Sequence, residues 1–140
     1  MVLEELGEYL QALSLGILAE TLFLDGLPVD APGTTTADLI ASLTETPGFP
    51  PEEVHDVVGP SREKPVVQLI VRGAPYDYAT PRLWAQQIWV ALGTIRNTSL
   101  SGVFYLWVKP LQSIAKLHDD DYARRLWTAQ FRIDKNVSTA

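Results

Sequence analysis

Residues 116–127, KLHDDDYARRLW, bring together one histidine, three consecutive aspartates and two arginines, a combination of groups that could hold a metal ion. Carboxylates are the ligands that Ca²⁺, Mg²⁺ and Mn²⁺ prefer, and His118 could add a ring nitrogen. A calcium loop, however, requires acidic residues at alternate positions, a glycine and a terminal glutamate, which this stretch lacks. Three adjacent aspartates, Asp119, Asp120 and Asp121, point in different directions in an extended or turn segment and rarely converge on one ion.

The same stretch has the composition of a turn between two strands. Aspartate supports turns by accepting hydrogen bonds from nearby backbone amides, and the residues on both sides read as strands. Like charges at a hairpin tip also discourage edge-to-edge association of sheets. We therefore predict a solvated turn at 118–124, with no metal and no other cofactor.

The rest of the chain offers no other catalytic motif. The second histidine, His55, lies in a proline-rich stretch, and it would form a two-histidine site only if the fold brought it to His118. The sequence contains no glycine-rich phosphate loop, no nucleophile elbow and no HExxH motif. Because there is no cysteine, a thiol nucleophile, disulfides and Cys-ligated zinc are excluded. We therefore predict that the protein is not an enzyme.

The composition excludes further classes of protein. With 140 residues, 46% of them hydrophobic, the chain is long enough for one domain with a real core, which we assign to residues 1–140. A net charge of −6 disfavours binding to the phosphate backbone of nucleic acids, which requires clustered Lys and Arg. The N-terminus is acidic, unlike a signal peptide, and the apolar stretch 13–24 is interrupted by Glu20 and too short to cross a bilayer. We expect an intracellular protein that contacts no membrane.

The first half of the chain predicts one helix and one strand. Apolar residues at three- and four-residue steps, continuing to Ile17, predict an amphipathic helix over 2–14. Prolines and an Asp-Gly pair mark 22–35 as a turn-rich crossing. Alternation favours a strand at 36–46, although a short helix would also fit, and five prolines predict a long loop at 47–65.

The second half predicts a longer helix and most of the sheet. A β-branched run ending in glycine predicts a strand at 66–73, and Thr80 and Pro81 suit the start of a helix over 81–96. The remaining segments predict a loop at 97–102, a strand at 103–109 and a strand at 124–134. After Pro110, residues 111–117 continue or kink the strand at 103–109.

This order of elements predicts an α+β fold, with an antiparallel-rich β-sheet of four to five strands and two main helices packed on one face. The strand at 103–109 is apolar on both faces: Val103, Tyr105 and Trp107 share one, and Phe104, Leu106 and Val108 share the other. A sheet covered on one side buries only one face. The second face therefore either meets another chain or is covered by the long loop, and both interpretations stay open.

Two long segments carry a family resemblance: PVVQLIVRGAPYDYATPRLWAQQIWVAL and GVFYLWVKPLQSIAKLHDDDYARRLWTAQFRI. They resemble the small tail terminator and tail-completion proteins of long-tailed bacteriophages, which are often labelled minor capsid proteins. The matching pieces are VRG (71–73), YLW (105–107), LQSI (111–114) and FRI (131–133). The resemblance is a pattern of apolar spacing and short words that covers 65–140 well and 1–60 more loosely, through the helix LGEYLQAL.

The resemblance implies a structural virion protein at the head-proximal end of the tail, made in the host bacterial cytoplasm. Copies of the chain would form a homohexameric ring that ends polymerisation of the tail tube and joins the tail to the head connector. The partners would be the chain itself, the tail tube protein and the head connector or stopper protein. Genomic DNA would pass through the lumen without specific binding, and an acidic lumen would ease that passage because it repels phosphate. The alternative reading of the acidic charge is that it merely keeps the protein soluble.

Two segments are candidates for these contacts because of their length and charge. They are the predicted loop at 47–65 and the predicted turn at 118–124. Members of the family use loops and sheet edges for such contacts, without a single-residue motif that could be transferred to this chain. The candidate interface residues are Glu52, Glu53, His55, Asp56, Arg62, His118, Asp119, Asp120, Asp121, Tyr122 and Arg124.

Three alternatives to tail termination remain at this point. The nearest is another neck protein of the same phages, such as a head-completion or stopper protein. The second is a small ferredoxin-like regulatory module, which predicts a pocket with convergent polar groups between protomers. The third is a metal-dependent hydrolase built on His118 and the three aspartates, which predicts that metal ions raise thermal stability.

Overall fold

The computed structural model describes residues 2–27, 38–52, 62–120 and 122–136, without the side chains of 47–52. The helices and strands of this part of the chain, in order, are α1 (Val2–Ala12), β1 (Leu22–Leu24), β2 (Ile40–Glu52), β3 (Arg62–Arg72), α2 (Ala79–Gly93), β4 (Arg96–Leu100), β5 (Val103–Pro110), β6 (Ala115–Asp119) and β7 (Arg125–Asn136).

The seven strands form one sheet in the order β1-β2-β3-β7-β5-β4, with β6 also paired to β7. All pairs are antiparallel except β1 with β2. The register places Leu43, Leu69 and Ala129 side by side across the three central strands. The predicted α+β class and the antiparallel-rich sheet are confirmed, but the described residues contain more strands than the four to five predicted.

Both helices pack against the same face of the sheet, as predicted. The buried residues that join the layers include Leu3, Leu6 and Leu10 of α1, Ala85, Ile88 and Leu92 of α2, and Leu43, Val67, Leu69, Ala129, Phe131 and Ile133 of the strands. Their burial removes apolar surface from water, which supplies the main driving force for folding. None of the described helices is both long enough and apolar enough to span a membrane.

Both helices end earlier than predicted. Ser14 adopts a left-handed backbone conformation with φ 60°, so the chain leaves the axis of α1 and the apolar stripe does not continue. Leu13 and Ile17, which the periodicity assigns to that stripe, are 48% and 52% exposed. At the start of α2, Thr80 does not cap the helix; its backbone N–H instead donates to Oδ1 of Asp77 at 3.3 Å.

The long loop predicted at 47–65 is wrong at both ends, because β2 continues to Glu52 and β3 begins at Arg62. Prolines are tolerated there because the β2–β3 register shifts twice, on either side of Phe49, and β1 covers the outer edge of β2 only as far as Leu43. Residues 53–61, the centre of the predicted loop, lie outside the described residues.

The strand predicted at 36–46 begins at Ile40 instead, and the alternative of a short helix there is wrong. Residues 36 and 37 lie outside the described part of the chain. The three-residue strand β1 falls within the crossing predicted at 22–35, of which residues 28–35 are likewise outside the description. Nothing in the pattern predicts this strand, because three residues are too few for an alternation to emerge.

The loop predicted at 97–102 is mostly strand β4, which forms a hairpin with β5. The two residues of its turn, Ser101 and Gly102, have φ of 51° and 80°, as tight hairpin turns with the twist of the strands require. β4 is polar because it is an edge strand, with Arg96–Ser99 exposed, and the alternation of apolar residues that marks half-buried strands is therefore missing.

After Pro110 the chain returns to the sheet as β6, which continues the line of β5 along the same side of β7, as predicted for 111–117. The predicted sharing of one face by Tyr105 and Trp107 is wrong, because the β5–β7 register shifts between them. Tyr105 is buried beneath α1, whereas the Trp107 ring lies 5.5 Å from the Arg132 guanidinium carbon on the opposite face.

Candidate interface

The turn predicted at 118–124 begins later in the structure, because His118 and Asp119 pair with β7 as the end of β6, and it is built around Asp120. Oδ1 of Asp120 accepts hydrogen bonds from the backbone N–H groups of Tyr122 and Arg124, both at 2.9 Å. The backbone N–H of Asp120 donates to the carbonyl of Arg124, which closes the hairpin between β6 and β7. Burial opposes ionisation of Asp120, but these hydrogen bonds and that from the Arg124 side chain outweigh it and lower the pKa.

Arg124 belongs to the support of this turn. Its side chain is 2% exposed, and its Nε donates to Oδ2 of Asp120 at 2.7 Å. Its Nη1 lies 3.3 Å from Oδ1 of Asp38, the second residue before β2. The turn is therefore connected to the start of a strand that β3 separates from β7. A buried arginine held by two carboxylates fixes the hairpin to the body of the protein and presents little surface to a partner.

Tyr122 of the turn and the last two residues of β6, His118 and Asp119, face solvent. His118 is exposed, and Tyr122 is 47% exposed although it is apolar over most of its surface. Oδ1 of Asp119 accepts a hydrogen bond from Nε of Arg125 at 2.9 Å, which lowers the pKa of Asp119. Contacts of this turn with another protein stay a prediction.

The metal alternative finds no support among the described residues, which contain no group of three histidine or acidic side chains able to hold an ion. Asp121 and His55 lie outside the described residues, so the structure places neither of them near His118. The Asp120 carboxylate accepts hydrogen bonds from two backbone amides and from the Arg124 side chain, and these bonds stabilise the turn.

The other candidate segment is described only at its ends. Arg62 donates two hydrogen bonds to Asp134 on β7, from Nε at 3.0 Å and from Nη2 at 2.5 Å. Glu52 is paired with Arg62 in the register of β2 and β3, and nothing is described of its side chain. Glu53 and Asp56 lie outside the described residues.

A buried polar cluster joins α1 to the sheet, and no local motif marks it because Glu5 lies 100 or more positions from both of its partners. Oε1 of Glu5 accepts hydrogen bonds from Nζ of Lys135 at 2.7 Å and from the Tyr105 hydroxyl at 2.5 Å. Burial opposes ionisation of Glu5, but these two donors outweigh it and lower the pKa from 4.5 to about 2. Burial and the Glu5 carboxylate together raise the pKa of Tyr105. The cluster is a structural anchor.

A pocket with a volume of about 480 Å³ lies between the end of α1 and α2. Its lining is mainly apolar and includes Leu15, Ile17, Leu39 and Trp84. The Trp84 indole N–H donates to the carbonyl of Leu15 at 2.8 Å, within the chain itself. This lining differs from the convergent polar groups that the small-ligand alternative predicts.

Charge is distributed unevenly along the chain, a sequence signal that is not a local motif. All 11 lysines and arginines lie at or after Arg62, whereas 11 of the 17 acidic residues lie in residues 1–61. The first 61 residues therefore carry a net charge of −11, and the remaining 79 carry +5. The first segment, which contains no lysine or arginine, supplies α1, β1 and β2, and the second supplies α2 and the other strands.

Comparison with known proteins finds a likeness of fold. No protein-family model matches the chain, and no curated protein matches it significantly in sequence. Among solved structures, a chain of the virion of a native gene transfer agent (GTA) particle is similar, with a TM-score of 0.58 and 18% sequence identity. The match covers 94% of this chain and 92% of that chain. At this identity the likeness shows a shared fold, over nearly the whole of both chains.

Proposed function

We propose that this chain is a structural protein of a phage-like virion that caps the head-proximal end of the tail tube. Copies of the chain form a ring that ends polymerisation of the tube and joins the tail to the head connector. The observation that carries the proposal is the match, over 94% of the chain, to the fold of a protein that is itself part of a virion particle.

The assignment to the tail end rests on the resemblance of residues 65–140 to tail terminator proteins. Two of the segments that carry this resemblance are neighbours in the fold. LQSI and FRI lie on neighbouring segments, since the backbone N–H of Leu111 donates to the carbonyl of Gln130 beside Phe131. The segment KLHDDDYARRLW forms the hairpin of β6 and β7, with Tyr122 exposed in its turn, an arrangement suited to contact with another subunit.

In this proposal the protein acts by binding, without catalysis and without a cofactor. Its partners are other copies of the chain, the tail tube protein and the head connector or stopper protein. It is made in the host bacterial cytoplasm and remains in the virion. DNA passes through the ring without specific contacts, which a net charge of −6 per copy favours because like charges repel.

The test is electron microscopy of particles from a phage that carries this gene, after deletion of the gene. Overlong tails without heads, beside filled heads, are expected, because nothing then stops growth of the tube. The chain supplied from a plasmid should restore tails of normal length. A plasmid copy with an early stop codon is the matched control and should restore nothing.

Two other results contradict the proposal. Tails of normal length beside heads that leak DNA would assign the chain to the head side of the neck, as a completion or stopper protein. Normal infectious particles would show that the virion requires no such cap from this chain.

A further inference from the structure

We propose that copies of this chain associate head to tail through the two opposite edges of the sheet, an acidic edge on one copy against a basic edge on the next. The occupant of the basic edge is thus a second copy of the chain. This inference rests on the proposed function only for the ring, because the two surfaces are identified from the charges and the strand order.

The basic edge consists of the exposed residues Arg96 on β4, Lys109 on β5 and Lys116 on β6. Arg96 and Lys109 line one shallow depression together with Trp107. Within the described part of the chain, no carboxylate lies within salt-bridge distance of Arg96 or Lys109, so both charges are available to a partner. The backbone of β4 is also open on its outer side, where no described strand pairs with it.

The acidic edge consists of the exposed residues Glu20, Asp25 and Glu45. Glu20 and Asp25 stand just before and just after β1, the strand at the opposite end of the sheet from β4. Glu45 lies on β2, beyond the three residues that β1 covers. Residues 1–61 contain no lysine or arginine, so no cation of this segment neutralises the edge.

Two different surfaces that complement each other produce a heterologous contact, which repeats from copy to copy and closes into a ring if the rotation allows. A symmetric dimer would instead bring like charges together on at least one edge. Nucleic acid is the weaker candidate for the basic edge, because the phosphate backbone is repelled by the −6 of the whole chain. The acidic edge of a second copy supplies the negative charge that complements the basic edge, so no other binding partner is required.

The test is an exchange of charges between the two edges. The basic-edge variant carries Arg96→Glu and Lys109→Glu, and the acidic-edge variant carries Glu20→Lys and Asp25→Lys. All four residues are exposed, so both variants should fold, which circular dichroism and a thermal melt would establish. Arg82→Glu reverses one exposed charge on α2, outside the residues that define the two edges, and is the control for the reversal of a surface charge as such.

Sedimentation velocity at low salt should show oligomers for the wild-type chain and for Arg82→Glu, and these should dissociate at high salt because ions screen the contact. Each double variant alone should be monomeric, because it has like charges on both edges. An equal mixture of the two should restore oligomers, because each copy then presents each edge to its complement.

The proposal is overturned if the wild-type chain is monomeric at low salt, if either double variant associates like the wild type, or if the mixture stays monomeric. A duplex DNA probe that binds the wild-type chain and not the basic-edge variant, without any self-association, would assign the basic edge to phosphate and likewise overturn it. None of these results depends on tail length. Failure of the edge contact is therefore distinguishable from failure of the virion function, which gene deletion tests.

Discussion

Lys135 and Glu5 form a buried ion pair that holds α1 to the sheet. Lys135 is 1% exposed and Glu5 is 4% exposed, and they meet at 2.7 Å between β7 and α1. Glu63 lies 3.9 Å from the same ammonium group but is partly solvated. Because a buried charge without its partner is far less stable than a buried pair, each residue depends on the other.

We expect Lys135→Met to lower the free energy of unfolding by about 3–5 kcal/mol, because it leaves the Glu5 carboxylate buried without its cation. Lys109→Met removes an exposed lysine from the neighbouring strand β5 and should change stability by no more than about 0.5 kcal/mol. Urea denaturation of both variants measures the difference. Equal losses would show that the buried pair contributes nothing beyond an ordinary surface lysine.

The same cluster predicts how stability depends on pH. The pKa of Glu5 is lowered from 4.5 to about 2 in the folded chain, so the carboxylate stabilises the fold fully above pH 4.5 and progressively less as the pH falls towards 2. We expect the unfolding free energy of the wild-type chain to fall through this window more steeply than that of Glu5→Gln, by roughly 3 kcal/mol in total. Urea denaturation at a series of pH values measures both slopes, and parallel curves would contradict the assignment.

At the scale of elements, the β6–β7 hairpin depends on Asp120 more than on its neighbour. Asp120→Ala removes acceptors from two backbone amides and one carboxylate from buried Arg124, and should cost about 2 kcal/mol. Asp119→Ala, one residue earlier, removes only a partly exposed pair with Arg125 and should have a much smaller effect. Hydrogen exchange of the β6 amides should accelerate in the first variant alone. Similar exchange in both would mean that the turn does not depend on Asp120.

The elements that could be predicted from the sequence are those with a buried face. Runs of apolar residues predict the strand at 66–73 and the helix at 81–96, and both lie within a few residues of the bounds of β3 and α2. The sequence does not predict the edge strand β4, because exposed strands do not need apolar residues, nor the far end of β2, because prolines usually end strands. Edge strands are therefore difficult to predict from the pattern of apolar residues, because that pattern reports burial.

The contacts of the candidate interface were likewise predictable only in part. A turn at this point was predictable because aspartate has a local preference for turns, although the structure confines it to 120–124 and places His118 and Asp119 in β6. The burial of Arg124 against Asp38, and the meeting of Glu5 with Tyr105 and Lys135, were not predictable. Those contacts join residues that are 86 to 130 positions apart, and only the tertiary fold brings them together.

At the scale of the whole molecule, the most informative pattern is the separation of charge along the chain. It can be counted from the sequence, but only the structure shows where the charges lie. The separation of charge at Arg62 is visible in the sequence. It acquires meaning because the strand order places β1 and β4 at opposite ends of one sheet. A chain that is acidic at one edge and basic at the other has a built-in direction, which a repeating contact within a ring requires.

This direction predicts how tails should assemble in a cell. In the phage that lacks this gene, a plasmid that supplies only the basic-edge variant should leave tails overlong, because copies with two acidic edges repel each other. The acidic-edge variant alone should fail in the same way, whereas the two supplied together should restore normal tails, each copy lying between two of the other kind. Arg82→Glu is the control for expression and should support normal tails alone. Electron microscopy of tail lengths and a count of infectious particles measure the outcome. Rescue by either edge variant alone would show that the cap assembles without the proposed edge contact.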